Sequence, residues 1–159
     1  MQKLIFLILL VSIGSSITLK AQEMDNEKLQ AIIYTLSDEM EGQDGQWQFI
    51  VDSTIFICLT DNLHNRMRII SPIGQMTDIT DEQLMRCMEA NFHSALDGRY
   101  AVSDGILWSA FIHPLRELTK DQVLSAISQV YSCAKTFGSL YSSGTLSFPS
   151  QEERKYKSN

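Results

Sequence analysis

The side chains best suited to proton transfer or metal binding in this chain are its three histidines, His64, His93 and His113. His64 lies in a polar stretch, His93 lies within a helical pattern, and His113 precedes a proline. No two of them have the i, i+4 spacing that would place two ring nitrogens on one helix face for a metal ion. The spacing therefore favours separate structural or surface histidines over a metal site.

Nucleophilic catalysis would need a serine or cysteine next to a base that takes its proton. Ser109 and His113 share one face of a predicted strand, but they lie ~13 Å apart at the usual rise per residue. That distance is beyond hydrogen-bond reach. The sequence contains no phosphate loop and no G-x-S-x-G elbow. It therefore predicts a protein that is not an enzyme.

The three cysteines, Cys58, Cys87 and Cys133, each lie within an apolar pattern and show no paired two-residue spacing. An odd number permits at most one internal disulfide and leaves one thiol over. Because free cysteine commonly behaves as a small buried hydrophobe, buried thiols are favoured over a disulfide, which the sequence leaves open.

A group of carboxylates, Asp38, Glu39, Glu41 and Asp44, follows the first helical pattern. Carboxylates can bind a hard cation, but this spacing does not match a Ca²⁺-binding loop. The group is interpreted as the solvated end of a helix. No cofactor or metal is predicted anywhere in the chain.

Large aromatic side chains are the candidates for binding a partner. Trp108 lies on a strand whose two faces are both apolar, which indicates packing on both sides. One side can be the core of the domain and the other a partner, although simple core packing explains the tryptophans equally. The candidate partner-binding residues are Trp47, Trp108 and Phe111.

The composition indicates one domain with an acidic surface. The chain has 159 residues, of which 44% are hydrophobic, and 19 acidic against 13 basic residues give a net charge of −6. This charge disfavours nucleic acid and anionic lipid as partners. The basic residues Arg154, Lys155 and Lys157 are interpreted as part of a solvated tail.

The N-terminus has the layout of a secretory signal peptide. Lys3 precedes the apolar run Leu4–Val11, small polar residues follow, and Ala21 offers a cleavage position. The alternative, a transmembrane anchor, needs about 20 apolar residues and this run is shorter. We therefore expect a signal peptide over 1–21, a domain over 22–145 and a flexible tail over 146–159. The protein is expected to be exported, periplasmic or secreted, with no stable membrane anchor after cleavage.

Apolar periodicity predicts the elements that position these residues. A helix is predicted over about Asn26–Glu41. Two further helices begin at the capping boxes Thr80–Gln83 and Thr119–Gln122. Strands are predicted over 46–51, 54–60, 66–70, 100–103 and 106–112, the last two joined by an Asp104-Gly105 turn. The expected fold is α+β, with a five-stranded antiparallel sheet, three helices and the order α-β-β-β-α-β-β-α.

This order, together with the hairpin segment Tyr100-Ala-Val-Ser-Asp-Gly-Ile-Leu-Trp-Ser-Ala-Phe and the following His-Pro-Leu-Arg-Glu-Leu-Thr, resembles the YbjN family. It is also similar to the wider superfamily that shares the fold of type III secretion chaperones. The resemblance covers roughly 26–140. It implies a compact module, often dimeric, that works by binding other proteins, and it carries over no catalytic residues.

The sequence thus predicts an exported, non-enzymatic module that binds a protein segment or a second copy of itself. The alternative is a carrier of a small apolar ligand or lipid in a pocket between helices and sheet. The many Met, Ile and Phe positions motivate this alternative.

Overall fold

The structure is a computed structural model that describes residues 23–144. The predicted signal peptide over 1–21 and the whole of the predicted tail over 146–159, including its three basic residues, lie outside the described residues. Within the described part, no helix is long and apolar enough to cross a membrane.

Three α-helices, six strands and a short 3-10 helix (Met76–Asp78) make up the described chain. In chain order they are α1 (Asn26–Tyr34), β1 (Glu39–Gln43), β2 (Gln46–Val51), β3 (Thr54–Asp61), β4 (Arg66–Gln75), α2 (Asp81–His93), β5 (Arg99–Ser103), β6 (Ile106–His113) and α3 (Lys120–Thr136). The strands form one sheet in the order β1-β2-β3-β4-β6-β5, and every neighbouring pair is antiparallel.

The predicted α+β class, three helices and antiparallel sheet are confirmed, but the predicted five strands and element order were wrong. The first helix ends at Tyr34 instead of Glu41, and residues 39–43 form β1. Asp44 and Gly45 take φ angles of 53° and 85°, which make a tight hairpin turn that pairs β1 with β2. Sheet pairing therefore prevails over the helical spacing of Leu36 and Met40.

Both predicted capping boxes are present. The Thr80 hydroxyl accepts from the Gln83 N–H and the Gln83 side chain accepts from the Thr80 N–H, at 3.2 and 3.0 Å. Thr119 and Gln122 repeat this arrangement at the start of α3. These reciprocal bonds satisfy main-chain donors that have no partner within the helix, so both helices begin where the sequence places them.

The β5–β6 hairpin forms around Asp104 and Gly105 with φ angles of 53° and 74°, as predicted. β4 is longer than predicted, because it continues past Pro72 with a register shift between Pro72 and Gly74. Pairing of β3 with β4 ends at Ile57 and Ile70. Pro72 therefore lies beyond the last residue of β4 that pairs with β3, where its missing N–H costs no hydrogen bond to that strand.

All three helices pack on the same face of the sheet. The main core lies between this face and helices α1 and α3, and its large side chains are almost fully buried: Leu29, Ile33, Trp47, Phe49, Phe56, Met67, Ile69, Phe111, Val123 and Val130. A second cluster lies under α2 and contains Cys87, Ala90, Tyr100, Leu107 and Cys133. Both clusters use side chains from one face of the sheet, and no helix within residues 23–144 covers the opposite face.

Candidate protein-docking surface

His64 and His113 each lie against a neighbouring group of the chain. His64 Nδ1 lies 2.7 Å from Asp61 Oδ2, and the hydrogen bonds from His64 hold the pKa of that carboxyl below its usual range. His113 Nδ1 lies 2.8 Å from the carbonyl oxygen of Pro114. No group of three or more His, Cys, Asp or Glu side chains within residues 23–144 is placed to hold a metal ion.

Ser109 and the cysteines belong to the core. The Ser109 hydroxyl donates to the carbonyl oxygen of Val130 at 2.9 Å, so its proton is engaged with α3 and not with His113. All three thiols are free and buried. Burial raises the pKa of Cys58 to about 12 and those of Cys87 and Cys133 to about 11. These thiols stay protonated at neutral pH, and the thiolate is the reactive form.

A surface depression of about 470 Å³ lies beside the first residue of β5, and its lining is partly polar. The buried Gln129 side chain accepts hydrogen bonds from the N–H groups of Asp97 and Gly98 and donates to Ser125. The Arg99 guanidinium donates to the carbonyls of Leu96 and Gly98. The side chains of Gln129 and Arg99 are therefore engaged with neighbouring groups of the chain.

The strongest candidate for binding is the sheet face that none of the described helices covers. Register and alternation place a continuous apolar set there, which we call the uncovered face: Ile50, Ile55, Ile57, Leu59, Ile70, Trp108 and Ile112. Ile112 is 60% exposed and Ile55 is 44% exposed. A contiguous apolar surface of this kind marks a site of interaction with another molecule.

Two arginines lie within this apolar surface. Arg68 of β4 is paired in register with Leu59 of β3 and Ile112 of β6, and Arg66 follows at the same face. The two salt bridges among the described residues join other groups, Lys28 with Asp25 and His64 with Asp61. Arg66 and Arg68 thus have no carboxylate partner within residues 23–144 and can pair with one on a bound segment.

The structure separates the three aromatic candidates. Trp47 is 1% exposed and Phe111 is 5% exposed, and both lie in the main core. Trp108 is half-buried on the uncovered face, with its indole N–H donating to the carbonyl oxygen of Ser103 at 3.3 Å. Of the three, Trp108 is therefore the side chain that offers surface to a partner.

Sequence reasoning missed Ile55, Ile112 and Arg68 as surface residues. The signal was present, because the run Thr54–Thr60 and the strand around Trp108 are both apolar on two faces. A strand that is apolar on two faces predicts two coverings. In this chain the helices supply one of them, and only the sheet order shows that β3, β4 and β6 lie together.

A second apolar surface lies on helix α2. Phe92, Met85 and Met88 are 76%, 61% and 44% exposed, and Val102 on β5 is 49% exposed. The buried side of this helix faces the second cluster through Cys87 and Ala90. The helix is thus apolar on two sides, one of them facing solvent.

Solved structures with a similar fold are known. The chain shares the fold of type III secretion chaperones. The HopA1-SchA chaperone–effector complex contains a chain that matches with a TM-score of 0.55 and 13% identity, over 69% of this chain and 88% of that one. The Yersinia pestis type III secretion chaperone SycH, solved with a stable fragment of YscM2, matches with a TM-score of 0.53 and 17% identity, over 69% and 95%.

A chain of the ExsC-ExsE complex also matches, with a TM-score of 0.52 and 9% identity over 74% of this chain and 98% of that one. At these identities the likeness shows a common fold. No protein-family profile and no curated protein matches the sequence. The predicted chaperone-like fold is confirmed, and membership of the YbjN family stays a prediction.

Proposed function

We propose that this protein is a non-enzymatic, chaperone-like module that binds a segment of another protein on its uncovered face. The observation that carries the proposal is the apolar set centred on Trp108 and Ile112, which no helix covers. The shared fold supports it, because two of the three similar structures contain chaperones bound to partner proteins.

Burial of this surface would supply the affinity. Removing apolar area from water contributes about 25 cal/mol per Å², and an exposed isoleucine therefore gains more from a partner than a half-buried one. The arginines Arg66 and Arg68 would add charge-assisted hydrogen bonds to carboxylates of the bound segment. Each partly buried isoleucine would pack against an apolar side chain of the segment.

Site-specific photo-crosslinking in the native host tests this proposal. A photoreactive phenylalanine analogue at Ile112 should form adducts with a protein other than this chain, identified by mass. The same analogue at Leu63, which is 84% exposed in the β3–β4 loop, is the matched control. Adducts at position 112 that disappear when Ile55 is changed to Asp would support the uncovered face. Equal adducts at both positions, or none at 112, would contradict it.

We also propose that the protein is exported and is of YbjN type. Export is supported by Lys3 and the apolar run Leu4–Val11, which match a signal peptide. Mass measurement of the protein isolated from its host tests this, since cleavage near Ala21 would remove the first 21 residues. An intact N-terminus in the cytosolic fraction would refute export. The YbjN type rests on the hairpin segment from Tyr100.

A homodimer through α2 is part of the same proposal. Phe92, Met85 and Met88 would be buried against a second copy, as exposed apolar helix faces commonly are. Replacing Phe92 with Asp should shift the sedimentation of the protein toward the monomer. Tyr34→Asp, at a residue that is 72% exposed on α1, is the matched control and should leave the dimer intact. A monomeric parent protein would refute the dimer and leave the uncovered face as the proposed site.

A further inference from the structure

The β5–β6 pair is incomplete at one end, because β5 begins opposite the middle of β6. Arg99, the first residue of β5, is opposed to Ala110, and β6 continues beyond it. Before Arg99 the chain turns toward α3, where the N–H groups of Asp97 and Gly98 donate to Gln129 Oε1 at 3.0 and 2.9 Å. Within residues 23–144, the last residues of β6 therefore have no strand on the side of β5.

The main chain of Ile112 points toward this open side of β6. The N–H and C=O of Tyr100 point away from β6, because they bind the Asn91 side chain. Since opposed residues that exchange hydrogen bonds alternate with those that do not, Arg99 exchanges them with its register partner Ala110. Ile112, two residues further along β6, directs its N–H and C=O to the same side. No hydrogen bond from a side chain or a loop within residues 23–144 reaches these two groups.

The surface depression of about 470 Å³ lies on this open side of β6. Strand β6 around Ile112 forms one wall, α3 forms a second, and the segment that leads into β5 forms a third. The volume lies within the range of about 300–1,000 Å³ that is usual for small-molecule sites. The wall from α3 includes Gln129, which is 8% exposed, so a buried amide contributes to the lining. The depression is therefore a candidate site for a small ligand.

Two opposite charges line the depression without neutralising each other. Asp97 and Arg99 both contribute to the lining, and neither belongs to a salt bridge of the described residues. The Asp97 carboxylate accepts no hydrogen bond within residues 23–144. The Arg99 guanidinium uses Nη1 for the carbonyls of Leu96 and Gly98, and its Nε and Nη2 groups have no partner in the same part of the chain. A carboxylate and a guanidinium can therefore bind one ligand.

These groups match an α-amino acid in its zwitterionic form. In an antiparallel pair, one residue donates its N–H to the opposing carbonyl oxygen and accepts the opposing N–H at its own carbonyl. A free amino acid has a donor and an acceptor on the two sides of its α-carbon in the same way, as an ammonium and a carboxylate. Opposite Ile112, the ammonium would donate to the C=O and the carboxylate would accept from the N–H. Asp97 can balance the ammonium and Arg99 can bind the carboxylate.

The position of the ligand side chain follows from the same pairing. Directly opposed residues share one face of a sheet, so the side chain would lie beside that of Ile112. Ile112 is 60% exposed, and an apolar ligand side chain would remove part of that surface from water. The contact therefore favours an apolar amino acid.

We propose that the depression between β6 and α3 binds a free α-amino acid with an apolar side chain, held by the main chain of Ile112 and by the charges of Asp97 and Arg99. A residue within a peptide chain has neither charge, and the residue at a peptide end has one of the two. The site therefore selects a free amino acid over a protein segment. This inference does not rest on the proposed function, because the ligand is a small molecule and not a partner protein.

Titration of the full chain with L-leucine, followed by NMR of the main-chain amides, tests the site. We expect saturable binding with slowed hydrogen exchange at the Ile112 amide, while the Ala110 amide, which is already paired with β5, keeps its exchange rate. N-acetyl-leucine lacks the ammonium and leucine amide lacks the carboxylate. Each should bind at least about tenfold more weakly, the loss expected for one hydrogen bond to a charged group. No saturable binding of L-leucine, or equal binding of either analogue, would overturn the proposal.

A variant and a ligand together isolate the contact of the ammonium. Asp97→Asn should weaken the binding of L-leucine about tenfold but leave the weak binding of N-acetyl-leucine unchanged, because that analogue has no ammonium. Glu89→Gln, at an exposed carboxylate on α2, is the matched control and should bind L-leucine as the parent does. Unchanged binding of L-leucine by Asp97→Asn would refute the assigned role of this carboxylate and with it the proposal.

Two further comparisons test the ligand class. Glycine keeps both charges but buries no side chain beside Ile112, so it should bind more weakly than L-leucine. Equal binding of glycine would contradict the apolar side chain. The dipeptides leucyl-glycine and glycyl-leucine each present leucine with one of its two charges. Tighter binding of either dipeptide than of L-leucine would assign the depression to a peptide end and would contradict a free amino acid.

Discussion

The two ends of the sheet finish in hairpins built on the same dipeptide, Asp44-Gly45 for β1–β2 and Asp104-Gly105 for β5–β6. Their outer edges differ. The outward N–H and C=O of Tyr100 on β5 are bound by the side-chain amide of Asn91, at 2.7 and 3.0 Å. β1 forms the opposite edge of the sheet, and within residues 23–144 no side chain hydrogen-bonds to its main chain as Asn91 does to Tyr100. A side chain of α2 hydrogen-bonds the main chain of the β5 edge. The β1 edge carries the charged side chains of Glu39 and Glu41.

The turns also differ in their surroundings. Gly45 is buried against β3, where its carbonyl oxygen accepts from the Thr60 N–H at 2.8 Å. Gly105 is exposed and a Cβ built on it would meet nothing within 4 Å. Identical turn chemistry thus supports a packed hairpin at one end and an exposed turn at the other. The turn dipeptide thus determines which two strands pair, and the neighbouring elements determine what the paired strands can bind.

The largest expected effect separates the two turn glycines. Gly45→Ala should lower the free energy of unfolding by more than about 2 kcal/mol, because positive φ is strained for alanine and the methyl would collide with Thr60 Oγ1. Gly105→Ala should cost about 1 kcal/mol, from the strain alone. Urea denaturation of both variants measures the difference. Equal losses would mean that the packing around Gly45 is not tighter.

The next test removes the Asn91 side chain, which hydrogen-bonds the main chain at the β5 edge. Asn91→Ala should cost about 1–3 kcal/mol of stability, because the main-chain groups of Tyr100 lose their partner. It should also cause concentration-dependent association, since β5 becomes an unpaired edge. Glu89→Ala, at an exposed position on the same helix, is the control. A stable, non-associating Asn91→Ala protein would show that β5 needs no amide to stay closed.

The stabilisation that the Tyr100 hydroxyl gives β5 should depend on pH in the alkaline range. The Tyr100 hydroxyl donates to the carbonyl oxygen of Cys133 at 2.8 Å, and Tyr100→Phe should cost about 1 kcal/mol at pH 7. Burial, with a contribution from Cys133, raises the pKa of Tyr100, so the folded protein keeps a proton that the unfolded chain releases above about pH 10. The stabilisation is complete below pH 10 and is lost above it.

Denaturation at pH 7 and pH 11 therefore should show a difference between wild type and Tyr100→Phe that shrinks at the higher pH. A difference that stays constant or grows would contradict the assigned burial of the hydroxyl.

The smallest expected effect concerns the negative charges of Glu39 and Glu41 on the edge strand β1. Glu39→Gln with Glu41→Gln should change stability by less than about 0.5 kcal/mol, since both side chains are exposed. Association beyond the state of the parent protein should increase modestly at low salt, because like charges no longer oppose edge-to-edge pairing. Analytical ultracentrifugation measures this. Identical sedimentation of parent and variant would show that these charges do not prevent edge-to-edge pairing of β1.

Local sequence signals predicted most of the fold. The capping boxes at Thr80 and Thr119 and the turn at Asp104-Gly105 depend on hydrogen bonds and φ angles within four residues, so sequence alone identifies them. Strand β1 was missed although Asp44-Gly45 carries the same turn signal. Helical spacing through Leu36 and Met40 competed with it, and only pairing with β2 decided between the two.

The candidate sites depended more on contacts between distant residues. The sequence placed Trp108 on a strand that is apolar on both faces. It gave Trp47 and Phe111 as candidates of equal standing. Burial in the main core separates these two from the surface, and burial is a property of the assembled sheet. The carboxylates at positions 38–44 were assigned to a helix end, and their place on an open strand edge follows only from the hairpin.

The sequence by itself determined the α+β class, the starts of α2 and α3, the β5–β6 hairpin and the absence of known catalytic motifs, because each depends on neighbouring residues. The tertiary structure alone decided which sheet face the helices cover, and that Asn91 closes β5 while β1 stays open. These outcomes join residues far apart in the chain, such as Leu59 with Arg68 and Ile112, and their pairing is determined by the order of strands in the sheet.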